Sequence, residues 1–280
     1  MALTINTNVA SLNAQRNVGN TQHMLSGNLS RLSTGLRINS SADDAAGLAI
    51  SENLKAQIRG LGQAERNSND AVSALQTAEG SLNETSGILT RMRELAVQAA
   101  NGTLGTTERG YLNDEFETLT SEIDRIAAVT EFNGIGLLNG AASGGITFQI
   151  GIDNTTNDRL TVTITSMGST RIGTTTNSVS GVSVATVTGA RLAIDVLDSA
   201  IDDISSQRGD IGAAQNRLNV SIANLGSARE NLSAANSRIR DVDVASETAA
   251  MTRNNILMQA GISVLAQANQ MPSAALSLLR

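Results

Sequence analysis

From Leu61 onward, apolar and small residues recur at alternating steps of three and four: Leu61, Ala64, Ser68, Ala71, Leu75, Ala78, Leu82, Thr85, Leu89, Met92, Ala96 and Ala99. Only Ser68 and Thr85 in this row are polar. The spacing is a heptad seam and predicts a long helix that needs a partner helix along its length. Asn101-Gly102 supplies its stop. After Thr106-Thr107-Glu108, a second helical pattern runs through Leu112, Phe116, Leu119, Ile123 and Ile126 and fades at Asn133-Gly134. A second long seam then steps through Ala190, Ile194, Leu197, Ile201, Ile204, Arg208, Ile211, Gln215, Leu218, Ile222, Leu225, Arg229, Leu232, Asn236 and Ile239. About fifty residues at 1.5 Å each would span ~75 Å as one unbroken helix. The polar members Arg208, Gln215, Arg229 and Asn236 weaken this seam and are placed to fix its register. Gly209, Gly212 and Gly226 cost helix propensity but allow close backbone approach.

The chain between about Gly140 and Gly189 follows a different rule. Ile146, Phe148 and Ile150 alternate with polar residues, as do Leu160, Val162 and Ile164, and a turn-rich stretch from Gly151 to Asp158 lies between them. This predicts a β-hairpin buried on one face. Val182 and Val184 suggest a short further strand, and Gly168 to Gly181 carries no helical signal. Near the start Leu25, Leu29, Leu32 and Leu36 lie four-three-four, and later Leu257, Gly261, Val264, Ala268, Met271, Ala275 and Leu278 keep the same rhythm. Pro272 is expected to kink or interrupt that last helix. Both end segments have narrow seams rich in Asn, Gln and Ser, so neither buries enough alone to offset its ordering entropy. They need each other, or neighbouring copies. The order helix, helix, short β insert, helix, helix gives a mainly α fold: an elongated antiparallel helical bundle or coiled coil with a small β-hairpin insert, its two termini at one end of a rod.

Composition sharpens this reading. Aromatics make up 1% of the 280 residues against 40% hydrophobic in all, so the apolar mass is Ala, Leu, Ile and Val, suited to thin helix-on-helix layers. A single Pro permits long helices. Without Cys there are no disulfides or thiolate metal sites. A net charge of −6 with interspersed signs argues against capture of nucleic acid or an anionic membrane. No apolar run approaches the ~20 residues of a membrane span. The opening Met1-Ala-Leu-Thr-Ile-Asn has neither a basic start nor a continuous apolar stretch, so a conventional cleavable signal peptide is not expected.

Chemistry is sparse. His23 is the lone histidine, expected on a helix surface, and leaves any triad or His-rich metal site short of partners. The acidic pairs Asp43-Asp44, Asp202-Asp203 and Asp241/Asp243 read as helix-terminus and solvated-face residues rather than catalytic carboxylates. Gly60-x-Gly62 and Gly134-x-Gly136 lack the third Gly, the preceding strand and the lysine of nucleotide loops. No catalytic residue, cofactor or metal is expected.

Particular segments carry a resemblance. Met1-Ala-Leu-Thr-Ile-Asn-Thr-Asn-Val-Ala-Ser-Leu, Leu32-Ser-Thr-Gly-Leu-Arg-Ile-Asn-Ser, Asp43-Asp-Ala-Ala-Gly-Leu-Ala-Ile, Arg91-Met-Arg-Glu-Leu-Ala-Val-Gln-Ala-Ala-Asn-Gly-Thr103 and Glu131-Phe-Asn-Gly-Ile resemble the N-terminal region of bacterial flagellins. Ile256-Leu-Met-Gln-Ala-Gly-Ile-Ser-Val-Leu-Ala-Gln-Ala-Asn-Gln270 and Leu276-Ser-Leu-Leu-Arg280 resemble the family's carboxyl-terminal region. The resemblance covers roughly residues 1–140 and 190–280. It implies a non-enzymatic filament subunit of the short form, without outer variable domains. Residues 1–42 and 241–280 would form two halves of an inner filament core. Residues 43–189 and 190–240 would form the next shell, as helices with the hairpin.

The polymerisation seam of the core would then comprise Leu25, Leu29, Leu32, Leu36, Leu257, Val264, Ala268 and Leu278. The resemblance also implies an extracellular place in the flagellum, reached by type III export without a cleaved signal. Its partners would be further copies of the chain, an export chaperone on the C-terminal segment, the filament cap and hook-associated junction proteins. A host Toll-like receptor would read Arg91, Leu95 and Glu115, the last placed by counting eight residues back from Ile123-Asp-Arg-Ile. The nearest alternative is a hook–filament junction protein, which shares flagellin-like ends.

Overall fold

The computed structural model describes residues 7–277, with side chains to residue 271. Five long helices dominate: α1 (Val9–Thr34), α2 (Ala45–Ala99), α3 (Thr106–Val129), α4 (Val187–Arg240) and α5 (Val244–Ser277). Between α3 and α4 lie β1 (Glu131–Phe132), β2 (Ile135–Gly136), β3 (Ile146–Gln149) and β4 (Arg159–Val162), with short single-turn helices. The chain divides into two compact units, residues 59–229 and residues 1–58 with 230–280. The expected divisions at 42/43 and 240/241 lie at the connectors between helices, and the compact units divide inside α2 and α4.

In the unit of residues 59–229, all twelve members of the first seam, Leu61 to Ala99, are buried. Its polar members cause no penalty, because Ser68 Oγ donates to the Ala64 carbonyl at 2.8 Å and Thr85 Oγ1 to the Ser81 carbonyl at 2.9 Å. Each hydroxyl is thus satisfied within its own helix and presents only its apolar side to the seam. Cross-links to α4 set direction. Arg93 pairs with Asp198 at 2.5 Å, Gln215 Nε2 donates to Glu79 at 2.9 Å, and Arg229 pairs with Glu65 at 2.5 Å. Numbers fall along α2 as they rise along α4, so the two helices are antiparallel. Gln215 and Arg229 thereby act as register pins.

The seam of α4 differs from expectation by one residue. Ala190, Leu197, Ile204, Ile211, Leu218 and Leu225 are buried as expected, but the alternate row is Ala193, Ala200, Gln207 and Ala214, with Ile194 and Ile201 only half-buried. Small side chains let neighbouring elements approach more closely there, and the bulkier isoleucines are displaced to the flank. Phe116 and Ile123 of α3, with Leu137, Leu138 and Ile164 of the insert, complete this core.

The expected hairpin is present as antiparallel β3 and β4, with Ile146 opposite Val162 and Phe148 opposite Leu160. A second, two-residue hairpin was not foreseen: β1 and β2 pair around Asn133 and Gly134, whose φ values of 49° and 77° suit the primed turn. Val182 and Val184 form no strand. Both are buried beside α3, where Asn113 Oδ1 accepts from the Val184 N–H at 3.0 Å, so the backbone donor is satisfied by a side chain rather than a neighbouring strand.

In the other unit α1 packs on α5, and the connectors beside them pair as well. Leu36 and Asp241 form an antiparallel bridge, and Arg37 N donates to the Arg240 carbonyl at 2.7 Å. One member of each of two acidic pairs holds a helix end, while Asp202 and Asp203 lie exposed within α4. Asp44 Oδ1 accepts from Gly47 N at 2.8 Å to cap α2, and Asp243 Oδ1 accepts from Ala245 N at 3.0 Å to cap α5. Asp43 ties the preceding loop through Ser40 N at 2.9 Å. Pro272 does not end α5, whose bounds run on to Ser277.

Candidate functional site: the paired terminal helices

The face that α1 turns to α5 is Ser11, Ala14, Val18, Thr21, Leu25, Asn28 and Leu32, spaced three and four, all buried or half-buried. The facing row is Glu247, Met251, Asn254, Met258, Gly261, Leu265 and Ala268. This is a mixed seam in which Val, Leu and Met are interspersed with small and amide residues. Its polar members find each other: Asn28 Nδ2 donates to Glu247 at 2.8 Å, Asn254 Nδ2 donates to Asn28 Oδ1 at 3.0 Å, and Ser11 Oγ donates to Asn269 Oδ1 at 2.6 Å. Arg31 adds an ion pair with Glu247 at 3.7 Å. A buried amide in a largely apolar seam favours one register, since a slip strands its donors and acceptor. The contacts again run antiparallel.

The expected polymerisation seam therefore splits. Leu25 and Leu32 are half-buried against α5, Ala268 is buried, and Leu36 lies in the connector bridge. Leu29, Leu257 and Val264 turn away from the pair, and Leu278 lies outside the described residues. The first three join a larger bare set, with Val9, Leu12 and Met24 on α1 and Val244, Ile256, Ile262 and Met271 on α5, each more than half exposed. Single exposed aliphatics are ordinary, but rows of them on two paired helices mark a surface that binds something.

Arg91 and Glu115 meet on the surface of the larger unit. The Arg91 guanidinium donates to Glu115 Oε1 through Nε at 3.0 Å and Nη2 at 2.9 Å, and through Nη1 to Glu94 at 3.0 Å. The hydrogen bonds from Glu115 and then Glu94 hold the guanidinium's affinity for its proton above the ordinary arginine value. Leu95 does not join them. It is 1% exposed and belongs to the hydrophobic core, because it lies three residues after Met92 and four before Ala99, on the same buried side of α2. His23 is exposed on α1. Among the described residues no three His, Cys, Asp or Glu side chains are grouped to hold a metal ion, and no helix is long and apolar enough to cross a membrane.

Arg109 escaped the sequence reading. It is 8% exposed, and its Nε and Nη2 donate to the carbonyls of Ala99 and Asn101, each at 2.9 Å. Its position in the first turn of α3, just after the Asn101-Gly102 stop, is the signal that could have found it.

Long antiparallel helices, a thin amide-pinned seam at the ends and bare apolar rows beside it define a helical structural subunit. Residues 5–143 match the model of the bacterial flagellin N-terminal helical region, and residues 194–279 match that of the bacterial flagellin C-terminal helical region. The flagellin of Halalkalibacterium halodurans is 46% identical over 276 residues, covering 99% of each chain. The crystal structure of Bacillus cereus flagellin superposes with a TM-score of 0.50 at 34% identity, over 61% of this chain and 94% of that one. A Vibrio parahaemolyticus structure described as a flagellar hook-associated protein reaches a TM-score of 0.59 at 16% identity, over 71% and 100% of the two chains, a likeness of fold alone. The chain belongs to the bacterial flagellin family and is a structural subunit of the flagellar filament.

Proposed function

We propose that the chain polymerises through the bare apolar rows of α1 and α5. One observation carries this reading: the two helices satisfy each other along one face and leave Leu29, Leu257, Val264 and their neighbours exposed on another. Fully burying each such side chain is worth about 1.5–3 kcal/mol. A contact between unlike faces that does not close on itself yields an open helical polymer. In this reading residues 1–42 and 241–280 are the inner core, and residues 43–189 and 190–240 the shell around it. Family likeness extends the reading to an export chaperone on 241–280, to the cap and hook-associated proteins at the filament ends, and to export without a cleaved signal. Arg91 and Glu115 would be the surface pair available to a Toll-like receptor. The junction-protein alternative is weaker, because relatives 40–46% identical over their full length are flagellins and flagellar filament core proteins. Hydrogen exchange tests the core assignment: residues 7–40 and 245–277 should exchange freely in the monomer and be protected in filaments. Equal protection in both states would sink it.

A further inference from the structure

Pro272 lies inside α5, and a proline has no backbone N–H to give to the carbonyl four residues earlier. In α5 that carbonyl belongs to Ala268, which is 6% exposed, so water is poorly placed to replace the missing donor. The side chain of Asn8 takes its place: Asn8 Nδ2 donates to the Ala268 carbonyl at 2.7 Å. The other end of the same amide is also in use, since Asn8 Oδ1 accepts from Ser11 N at 3.1 Å and so caps α1. One turn along α1, Ser11 Oγ donates to Asn269, the residue after Ala268. A single side chain therefore begins one helix with its oxygen and repairs the other with its nitrogen. Few residues can do both. Asp can cap but has no donor, Ser and Thr are shorter, and an apolar residue does neither. Register matters as well, since moving α1 by one turn would bring Leu12, which carries no donor, toward Ala268.

We propose that Asn8 is a clasp that makes the two terminal helices order together: the turn of α5 beyond Pro272 holds only when the first turn of α1 has formed against it. The clasp rests on the assembly reading above for the state in which it acts. It adds to that reading a specific dependence between one amide and one proline. A chain whose ends fold only as a pair would not present half-ordered ends to a growing polymer.

The test uses filaments of the full chain and four variants of one cycle: wild type, Asn8→Asp, Pro272→Ala and the double variant. Asn8→Asp keeps the cap acceptor of α1 and removes the donor to Ala268. Pro272→Ala restores the N–H of α5 itself. Amide exchange at residues 273–277 should quicken about tenfold in Asn8→Asp, return to the wild-type rate in the double variant, and change little in Pro272→Ala. Wild-type exchange in Asn8→Asp, or a double variant as fast as the single one, overturns the clasp. Should Asn8→Asp fail to polymerise, filaments from the double variant support the clasp, and continued failure there alongside assembly of Pro272→Ala overturns it. Polymerisation of the wild type reports separately on the assembly reading.

Discussion

Arg109 Nε donates to the carbonyl of Ala99 at 2.9 Å, and the guanidinium also reaches the Asn101 carbonyl at 2.9 Å. A side chain from the start of α3 thus closes the C-terminus of α2, where the last carbonyls have no partner within the helix and the helix dipole favours a cation. Both bonds are charge-assisted and largely shielded from water. Arg109→Met keeps the bulk, strands the Ala99 carbonyl and leaves the Asn101 carbonyl only its long 3.4 Å bond from Leu104 N, so it should cost about 2–3 kcal/mol. Thermal unfolding of the full chain, followed by helical circular dichroism, should shift down by about 5–10 °C. Arg109→Lys, with no fork, should recover only part of that loss. A melting curve for Arg109→Met that overlays the wild type would refute the cap.

Gly261 and Val18 meet across the pairing of α1 and α5. A methyl group at Gly261 would stand 2.8 Å from Val18 Cγ2, inside ordinary contact. Val18 is β-branched and has little freedom to rotate away in a helix. Gly261→Ala gains about 1 kcal/mol in helix propensity, yet it should lower the temperature at which filaments dissociate, because the seam must open. Val18→Ala in the same chain should restore it. If Gly261→Ala filaments prove more heat-resistant than wild type, propensity outweighs the contact and the close approach is unimportant.

Acid should release one of the pins between α2 and α4. The hydrogen bond from Arg93, with its charge, holds the Asp198 carboxyl below its ordinary value. A depressed folded value means that the contribution is complete above the unfolded value, ~3.9 for Asp. It is then lost as pH falls through the folded one. Asp198→Asn removes it at every pH. The urea midpoint of the variant should therefore lie below wild type at about pH 7, and the gap should narrow as pH falls below the ordinary carboxylate range. The gap is expected to be small, since both partners are exposed. A gap that stays constant with pH would show that Asp198 acts through something other than its charge.

Leu95 and Arg91 lie four residues apart on α2 and should separate cleanly in experiment. Leu95→Ala removes a fully buried side chain and should destabilise the chain by about 2–5 kcal/mol, read from urea unfolding. Arg91→Ala and Glu115→Ala break only exposed ion pairs and should leave the urea midpoint almost unchanged. If Arg91 and Glu115 form the receptor-facing pair, each of those variants should lower Toll-like-receptor reporter signalling at full assembly. Undiminished signalling from both would remove them from that role.

What could be read from the residues beforehand depended on which side chains build each seam. The seam of α2 was legible because its Leu, Met and Ala members keep the three-four spacing without a break, so the periodic row and the buried positions coincide. On α4 the periodicity selected Ile194 and Ile201, whereas Ala193 and Ala200 lie deeper. Hydropathy ranks isoleucine above alanine, but close approach rewards the smaller side chain. On α1 and α5 the periodic rows divide between two faces. The seam between the helices draws on Asn28, Asn254 and Ala14, which those rows do not include, while Leu29, Leu257 and Val264, expected in the polymerisation seam, face away from it. Val182 and Val184 had strand-forming side chains but no strand beside them. The Asn8 bridge and the Arg109 cap were invisible for a common reason: each joins a side chain to a carbonyl freed by helix termination or by proline, and such bonds leave no periodic trace.

That outward-facing row yields the sharpest separation between folding and assembly. Leu257 and Val264 lie off the row that α5 turns to α1, and both are more than half exposed. Replacing either with Asp places a charge where the chain already meets water, which changes the stability of an isolated subunit by less than about 0.5 kcal/mol. Burying that charge between copies is a different matter, because an unpaired carboxylate in an apolar contact is strongly disfavoured. Leu257→Asp and Val264→Asp should therefore unfold at the wild-type urea concentration and fail to pellet as filaments under conditions where the wild type polymerises. Leu82→Ala should do the reverse. It creates a cavity in the buried seam of α2, costing about 2–5 kcal/mol, and leaves the apolar rows intact. Filaments formed normally by both Asp variants would mean that subunits meet through some other face of the chain.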